Sequence, residues 1–325
     1  MTRSLRAATV WWDGHLYTGP GLQLDATGTA TLTEPTAEAE VLPGTLLPGL
    51  VDAHVHSGLV DLATVRAGGI AGVWDLGSVP EKVAALARRG TPLPRIRYAG
   101  PFLIAPGGYP GDRSWAAAGS WRTVDSAAEA VAAVGAAHAG GATLIKATMH
   151  AGGPQLRVFT LTAIADAAHD LGLPLVVHAE GPGMVEAAYE AGADVLAHTP
   201  WTEPLDRGLA RACAERMTWI STLDIHGWGV QTPESVTAVA NLRRFLEYGG
   251  KERYGTDLGN GPLPPGVNPR EVRLLQAAGL TPDDILLAMT GDDVTWIPGG
   301  LEMDPARFAD SLATARVLDE SVRPR

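Results

Sequence analysis

Residues 46–56 read LLPGLVDAHVH, an apolar run that ends in two histidines spaced two apart. Rich in leucine and valine, it suits a strand buried on both faces of a parallel sheet. Side chains alternate along a strand, so His54 and His56 point the same way, and two imidazoles converge on one place. The stretch DAHVHSG also stands where a dinucleotide or phosphate-binding protein would carry a glycine-rich turn after its first strand.

Outward from this run, short segments rich in Val, Ile and Leu alternate with Ala-rich segments of helical period, the pattern of βαβ units. Eight strands are expected, at 46–56, 69–77, 95–103, 141–150, 173–180, 194–200, 217–224 and 253–259. Between them SAAEAVAAVGAAHAGG, FTLTAIADAAHDLG, GMVEAAYEAG and SVTAVANLRRFLEYG read as helices ending near glycine. Local alternation alone suits a closed (β/α)8 TIM barrel or a doubly wound open sheet. The missing glycine-rich turn favours the barrel.

Residues 1–45 differ from the middle, alternating apolar and polar residues around turn signals such as DG and TG, as in VWWDGHLY and ATGTATL. They predict short antiparallel strands. The expected organisation is α/β: a small β-subdomain formed by residues 1–45, completed by about 296–325, and a barrel over 46–295. From Ala306 the chain reads as a weaker helix or strand.

Composition narrows the function. With 325 residues, 46% of them hydrophobic and 19% charged, the chain can bury a sizeable core. A net charge of -11 and no Lys/Arg-rich run argue against a nucleic-acid partner. No segment approaches the roughly 20 apolar residues that span a bilayer, and the start reads as no signal peptide, so no membrane partner and a cytoplasmic location are expected. The single cysteine, Cys213, allows neither a disulfide framework nor a thiolate cluster and reads as a buried apolar residue. Ligands for a metal would therefore be nitrogen and oxygen, which turns attention to the nine histidines.

Functional residues of a (β/α)8 barrel lie at the C-terminal ends of its strands. His54 and His56 end the first expected strand, Lys146 lies in the fourth, His178 and His198 near the ends of the fifth and sixth, and Asp257 near the end of the eighth. A lone strand-end histidine is more often a hydrogen-bonded structural group, but six such residues on one rim are a pattern. His15, His138 and His169 fall in N-terminal strands or Ala-rich helices and read as structural.

Neutral imidazoles with a carboxylate suit Zn2+ or another divalent ion, one or two per chain, and a catalytic site of this kind holds a water whose pKa falls to about 7. Asp257 could both ligate the metal and pass the water's proton to the leaving group. An ammonium at Lys146 would repel a dication. Carbamylated by carbon dioxide, the same side chain becomes an anionic oxygen ligand able to bridge two metals.

With these residues placed, the chain resembles the amidohydrolase superfamily, in particular its imidazolonepropionase-like and prolidase-like branch. LLPGLVDAHVHSG resembles the family's opening strand, GVWDLG its second, LIKATMHAGG its lysine strand and LVVHAEGPGMVEAAYEAGADVLAHTPW its two histidine strands. YGTDLG, followed by REVRLLQAAGLTPDDILLAMTGD, is similar to its aspartate strand and last helix; the resemblance runs over roughly 40–295. It implies metal ligation by His54, His56, His178, His198 and Asp257, with carbamylated Lys146 as a bridge and Asp257 as proton shuttle. Lys146 favours a prolidase-like two-metal arrangement over the mononuclear imidazolonepropionase type. The chain departs from the family at Ala197, where a glutamate commonly precedes the sixth-strand histidine, at Trp74, where an arginine is frequent, and in its short C-terminal end.

Aromatic residues gather in the loops expected over the mouth, in a chain with only 6% Phe, Trp and Tyr. Tyr109, Trp115 and Trp121 fall in the long loop after the third strand, Trp201 follows His198, and Trp228 follows the seventh strand. They fit apolar or aromatic substrate groups, with Arg113 as a carboxylate partner; His150 and His226 stand in loops over the same mouth. Packing of the loops themselves explains the tryptophans equally well. Gly107, Gly108 and Gly111 would let the long loop act as a lid.

The expected reaction is hydrolysis of an amide C–N bond in a small-molecule or peptide substrate: a small peptide, an N-acyl amino acid or a cyclic amide, with peptide natural-product tailoring as one setting. Ester, lactone or organophosphate hydrolysis on the same site is the alternative, and a metal-binding pseudoenzyme is a further one.

Overall fold

The computed structural model describes residues 3–318. Residues 319–325, the last part of the expected C-terminal contribution, lie outside the described residues.

A parallel sheet of seven strands forms the centre. Its order is Trp121–Thr123, Phe102–Ile104, Ile145–His150, Leu175–Glu180, Val195–Leu196, Thr218–Ile220 and Lys251–Arg253. A second sheet places Thr45–Val55 parallel to Ile70–Asp75, which pairs parallel with Arg95–Tyr98. Backbone hydrogen bonds connect the two sheets at both ends. Thr143 N donates to Tyr98 O at 3.0 Å on one side; on the other, Ala53 N donates to Tyr254 O at 2.9 Å, His56 N to Leu258 O at 2.9 Å and Leu258 N to His54 O at 3.1 Å. The architecture is a mixed α/β fold.

Both faces of these strands are covered, which is why their sequences read as near-continuous apolar runs. Apolar side chains on one side, Ala53, Leu76, Ala99, Leu144, Val176, Ala197 and Ile220, share one cluster. Their neighbours Val55, Val73, Ile145, Val177, Leu196 and Trp219 belong to a larger cluster that packs against helices such as Ala127–Ala139, Val158–Asp170 and Pro233–Glu247. Helix starts are fixed locally; Ser126 accepts from Glu129 N, and Thr232 forms a reciprocal pair with Ser235.

The N-terminal strands Ala30–Thr33, Gly21–Leu24, Arg3–Arg6 and Glu40–Val41 form a four-stranded sheet in that order. Two pairings are parallel where antiparallel ones were expected: Arg3–Arg6 with Glu40–Val41, and Thr9–Trp12 with Thr45–Val55. In each case the intervening chain has already turned back through other strands. Leu5, Val10, Leu22, Leu42, Leu46, Val294 and Trp296 form a separate apolar cluster there.

The strand Thr290–Ile297 was not anticipated; it runs antiparallel to Thr45–Val55 and pairs in turn with Arg316–Val317. The stretch after it is a helix, Pro305–Leu312, capped by Asp304. Among the described residues no helix is long and apolar enough to cross a membrane.

Several expected strands end earlier than read. The regular segments are Val195–Leu196 of 194–200, Thr218–Ile220 of 217–224 and Lys251–Arg253 of 253–259. Beyond them Thr222 and Asp257 adopt φ of +47° and +56°, which breaks the ladder and turns the chain at the rim. A left-handed aspartate is tolerable because its short polar side chain bonds locally, here with Oδ2 accepting from Asn260 Nδ2 at 2.9 Å.

Candidate metal centre

The alternation of the first strand delivers His54 and His56 to one point, with ring centres 5.2 Å apart. Asp257 meets them there, its Oδ1 3.1 Å from Nε2 of each. His198 lies 4.6 Å from His54 by ring centre and His178 lies 5.0 Å from His198. Lys146 is buried among them at 1% exposure. All six residues expected on the rim are brought together. Gly255 makes the approach feasible, since a Cβ there would lie 2.3 Å from Ile220 Cγ2 and 3.1 Å from His54 N.

Three imidazoles are oriented from behind. Ala197 O accepts from His54 Nδ1 at 2.8 Å, Gly77 O from His56 Nδ1 at 3.3 Å, and His198 Nδ1 is 2.9 Å from Thr222 Oγ1. With Nδ1 so engaged, Nε2 of His54 and His56 is left with its lone pair toward Asp257. The carbonyl that holds His56 is itself placed by Asp75, whose oxygens accept from Gly77 N at 3.0 Å, Ser78 Oγ at 2.7 Å, Ser57 N at 2.9 Å and Ser57 Oγ.

Electrostatics favour the neutral form of His54, His178 and His198, work the other way at His56, and keep Asp257 an anion. Burial holds His54 and His198 well below the usual imidazole range and lowers His178, where Glu180 works in the opposite direction. At His56 burial is outweighed by the carboxylates of Asp257 and Asp75, and its pKa is raised. Burial would raise Asp257, but the surrounding imidazoles of His54, His56 and His198 hold it well below the carboxylate range. Burial brings Lys146 down to about 7, against the pull of Asp257. A near-neutral amine is what carbamylation by carbon dioxide requires.

Asp257 Oδ1 is buried and has no hydrogen-bond partner although two imidazole nitrogens face it. A carboxylate oxygen facing two imidazole nitrogens is a donor set that suits a divalent cation, and His54, His56 and Asp257 lie close enough together to hold one.

Around this centre the mouth is aromatic. Tyr109 stacks on His178 at 4.9 Å and 27° and lies 6.2 Å from Trp115, which covers His56 at 6.1 Å. Trp201 packs edge-on against His198 at 5.4 Å and lies 4.8 Å from His226, whose Nε2 is buried without a partner and whose pKa falls to about 4 through burial. Arg113 sits over the Tyr109 ring at 5.5 Å, 3.4 Å from its neighbour Asp112. Trp228 is exposed, with Nε1 3.4 Å from Asn260 O. Trp121 departs from expectation: it lies on the strand Trp121–Thr123, because the open edge of Phe102–Ile104 takes that segment up in parallel pairing.

One site residue escaped the sequence reading. Glu180 Oε2 is 3.0 Å from His178 Nε2 and 3.1 Å from His150 Nδ1, a second group able to hold a metal. The signal was present, since Glu180 follows His178 by two on the same strand and so shares its face.

No family model matches the sequence, and no curated protein does. Solved structures do match. The A. niger ochratoxinase superposes with a TM-score of 0.78 at 18% identity, covering 96% of this chain and 93% of that one. A putative prolidase from Bifidobacterium longum gives 0.76 at 22%, covering 96% and 91%, and a Xaa-Pro dipeptidase 0.74 at 18%, covering 97% of both. These structural neighbours are amidohydrolases. The chain has their fold. At such identities the likeness is one of fold, and chemistry has to be argued from the site.

Proposed function

We propose that this protein is a metal-dependent hydrolase that cleaves an amide C–N bond in a small peptide, an N-acyl amino acid or a cyclic amide, acting in the cytoplasm and without a nucleic-acid or membrane partner. The observation that carries the reading is the unpartnered buried Oδ1 of Asp257 facing the Nε2 atoms of His54 and His56. In this reading the two sheets and the hydrogen bonds joining them are one closed (β/α)8 barrel over 46–295, and residues 1–45 with about 296–325 are a small β-subdomain.

His54, His56 and Asp257 would hold one Zn2+ or similar ion, and His178, His198 and Lys146, carbamylated, would supply ligands for a second. A divalent ion held there would polarise the scissile carbonyl and would make water nucleophilic at neutral pH. The chain's own groups do the rest. Asp257, ionised and fixed by Asn260, accepts a proton from the attacking water and returns it to the leaving nitrogen, so that the C–N bond breaks as an amine departs. Tyr109, Trp115 and Trp201 crowd the opening and exclude bulk water from the reacting centre. The names of the neighbours, prolidase and dipeptidase among them, favour peptide-like amides over other acyl compounds.

The test is a hydrolysis panel of dipeptides, N-acyl amino acids, cyclic amides, esters, lactones and phosphotriesters with zinc- or manganese-supplemented enzyme. Amide turnover that disappears in Asp257→Asn supports the proposal. Turnover confined to esters, lactones or phosphotriesters would replace it, and no turnover of any class would leave a binding protein.

A further inference from the structure

Beside the metal centre lies a small pocket that neither the histidines nor the reaction requires. His56 forms part of its wall together with Gly77 and Ser78, so it adjoins the candidate site, between the turn after the first strand, the helix Pro80–Ala87 and the loop carrying Trp115. Most of the remaining wall is apolar, with Leu59, Val79, Val83, Leu86 and Trp115, and Ser57, Ser78, Ser120 and Lys82 also line it. Its volume is about 90 Å³. An enclosed apolar cavity of about 150 Å³ takes a benzene ring, so this one is sized for a smaller branched aliphatic group, and a ring would protrude.

We infer that this pocket is a specificity subsite that takes a branched aliphatic side chain, of the size of leucine or valine, on the substrate residue next to the scissile amide. The inference rests on the hydrolase reading for its placement, because a group seated beside His56 is adjacent to whatever is bound at the metal centre. Leu59 supports it further: it is 47% exposed on the pocket wall, a large apolar surface that gains by being covered. Full burial of a leucine-sized side chain is favourable by about 1.5–3 kcal/mol, which corresponds to roughly 10- to 150-fold in affinity.

Gly58 supplies the means of testing it. It lines the pocket, its backbone is outside the left-handed region, and a Cβ built on it would meet only Ser78 Oγ, at 3.9 Å. A larger residue there can enter the pocket without displacing the chain. Leu86, partly buried on the helix wall, allows the reverse change, an enlargement.

The experiment is calorimetric titration of the metal-supplemented full chain with N-acetyl-leucinamide and N-acetyl-glycinamide, for wild type, Gly58→Leu and Leu86→Ala, with dipeptide turnover measured in parallel. The leucine compound should bind wild type at least about tenfold more tightly than the glycine compound. Gly58→Leu should erase that advantage at unchanged metal content, and Leu86→Ala should shift preference toward N-acetyl-phenylalaninamide. Equal or unmeasurable binding of the leucine compound, or an advantage that survives Gly58→Leu with the fold intact, overturns the subsite. If preferential binding is present but no amide is turned over, the hydrolase reading fails and the pocket stands.

Discussion

Asp52 Oδ2 accepts a hydrogen bond from Thr256 Oγ1 at 2.6 Å, while its Oδ1 accepts from the backbone N–H of His54 and of Thr256, each at 3.0 Å. The residue two before the first histidine is thereby tied to the residue just before Asp257. This fully buried link sets the separation between the two sides of the candidate metal centre, which lie some 200 residues apart in the chain.

Replacing Asp52 tests that link. Asp52→Ala leaves three buried donors unsatisfied and should cost about 3 kcal/mol in urea unfolding, at roughly 1–3 kcal/mol per stranded group. Asp52→Asn should be much milder, since its oxygen can still accept both backbone N–H groups. Burial raises the Asp52 carboxyl to about 7, so a neutral amide is close to the state it partly occupies at neutral pH. An alanine variant as stable as wild type would remove the tether from the account.

Lys146 should leave a signature in the pH dependence of stability. Its folded pKa, brought to about 7 by burial, lies below the ordinary lysine value of 10.5, so the metal-free folded state holds fewer protons than the unfolded chain between these values. Its contribution to stability therefore rises with pH across that window and is lost as pH falls toward 7. Thermal unfolding of metal-free wild type and Lys146→Met from pH 7 to 9.5 should show the difference between them shrinking as pH rises. A constant difference would mean the amine is not desolvated.

Glu180 should act through His178. Glu180→Gln keeps the size but loses the negative charge, and removal of a carboxylate partner of a ligating histidine typically lowers metal affinity about 10- to 100-fold. Competition titration with a zinc chelator measures this. Unchanged affinity would confine Glu180 to the substrate mouth.

Asp257→Asn should reduce kcat by at least about 10²-fold, the lower range for loss of a positioned proton carrier, while circular dichroism stays unchanged. Activity within a few-fold of wild type would require another proton carrier.

The sequence exposed the parts of this molecule that follow short-range rules. A two-residue spacing places His54 and His56 on one face, and helix periods and caps mark segments such as Ala127–Ala139. His198 and Asp257 were legible as members of the rim cluster although their strands proved shorter than read, because the rim position survives where the ladder ends. Long-range pairing was not legible. The segment Thr290–Ile297, with TGDD at its start, gives little strand signal and owes its conformation to Leu46, Leu47 and Pro48 opposite it, about 250 residues earlier. Trp121 joins a sheet for the same reason, an open edge that only the folded chain presents.

The most direct test of the central claim is metal content per chain, by plasma mass spectrometry, for protein purified without chelator beside a His54→Ala/His56→Ala variant. The account predicts close to two divalent ions per wild-type chain, with at least one lost in the variant. Wild type holding no more metal than the variant, even after metal is added, would contradict it.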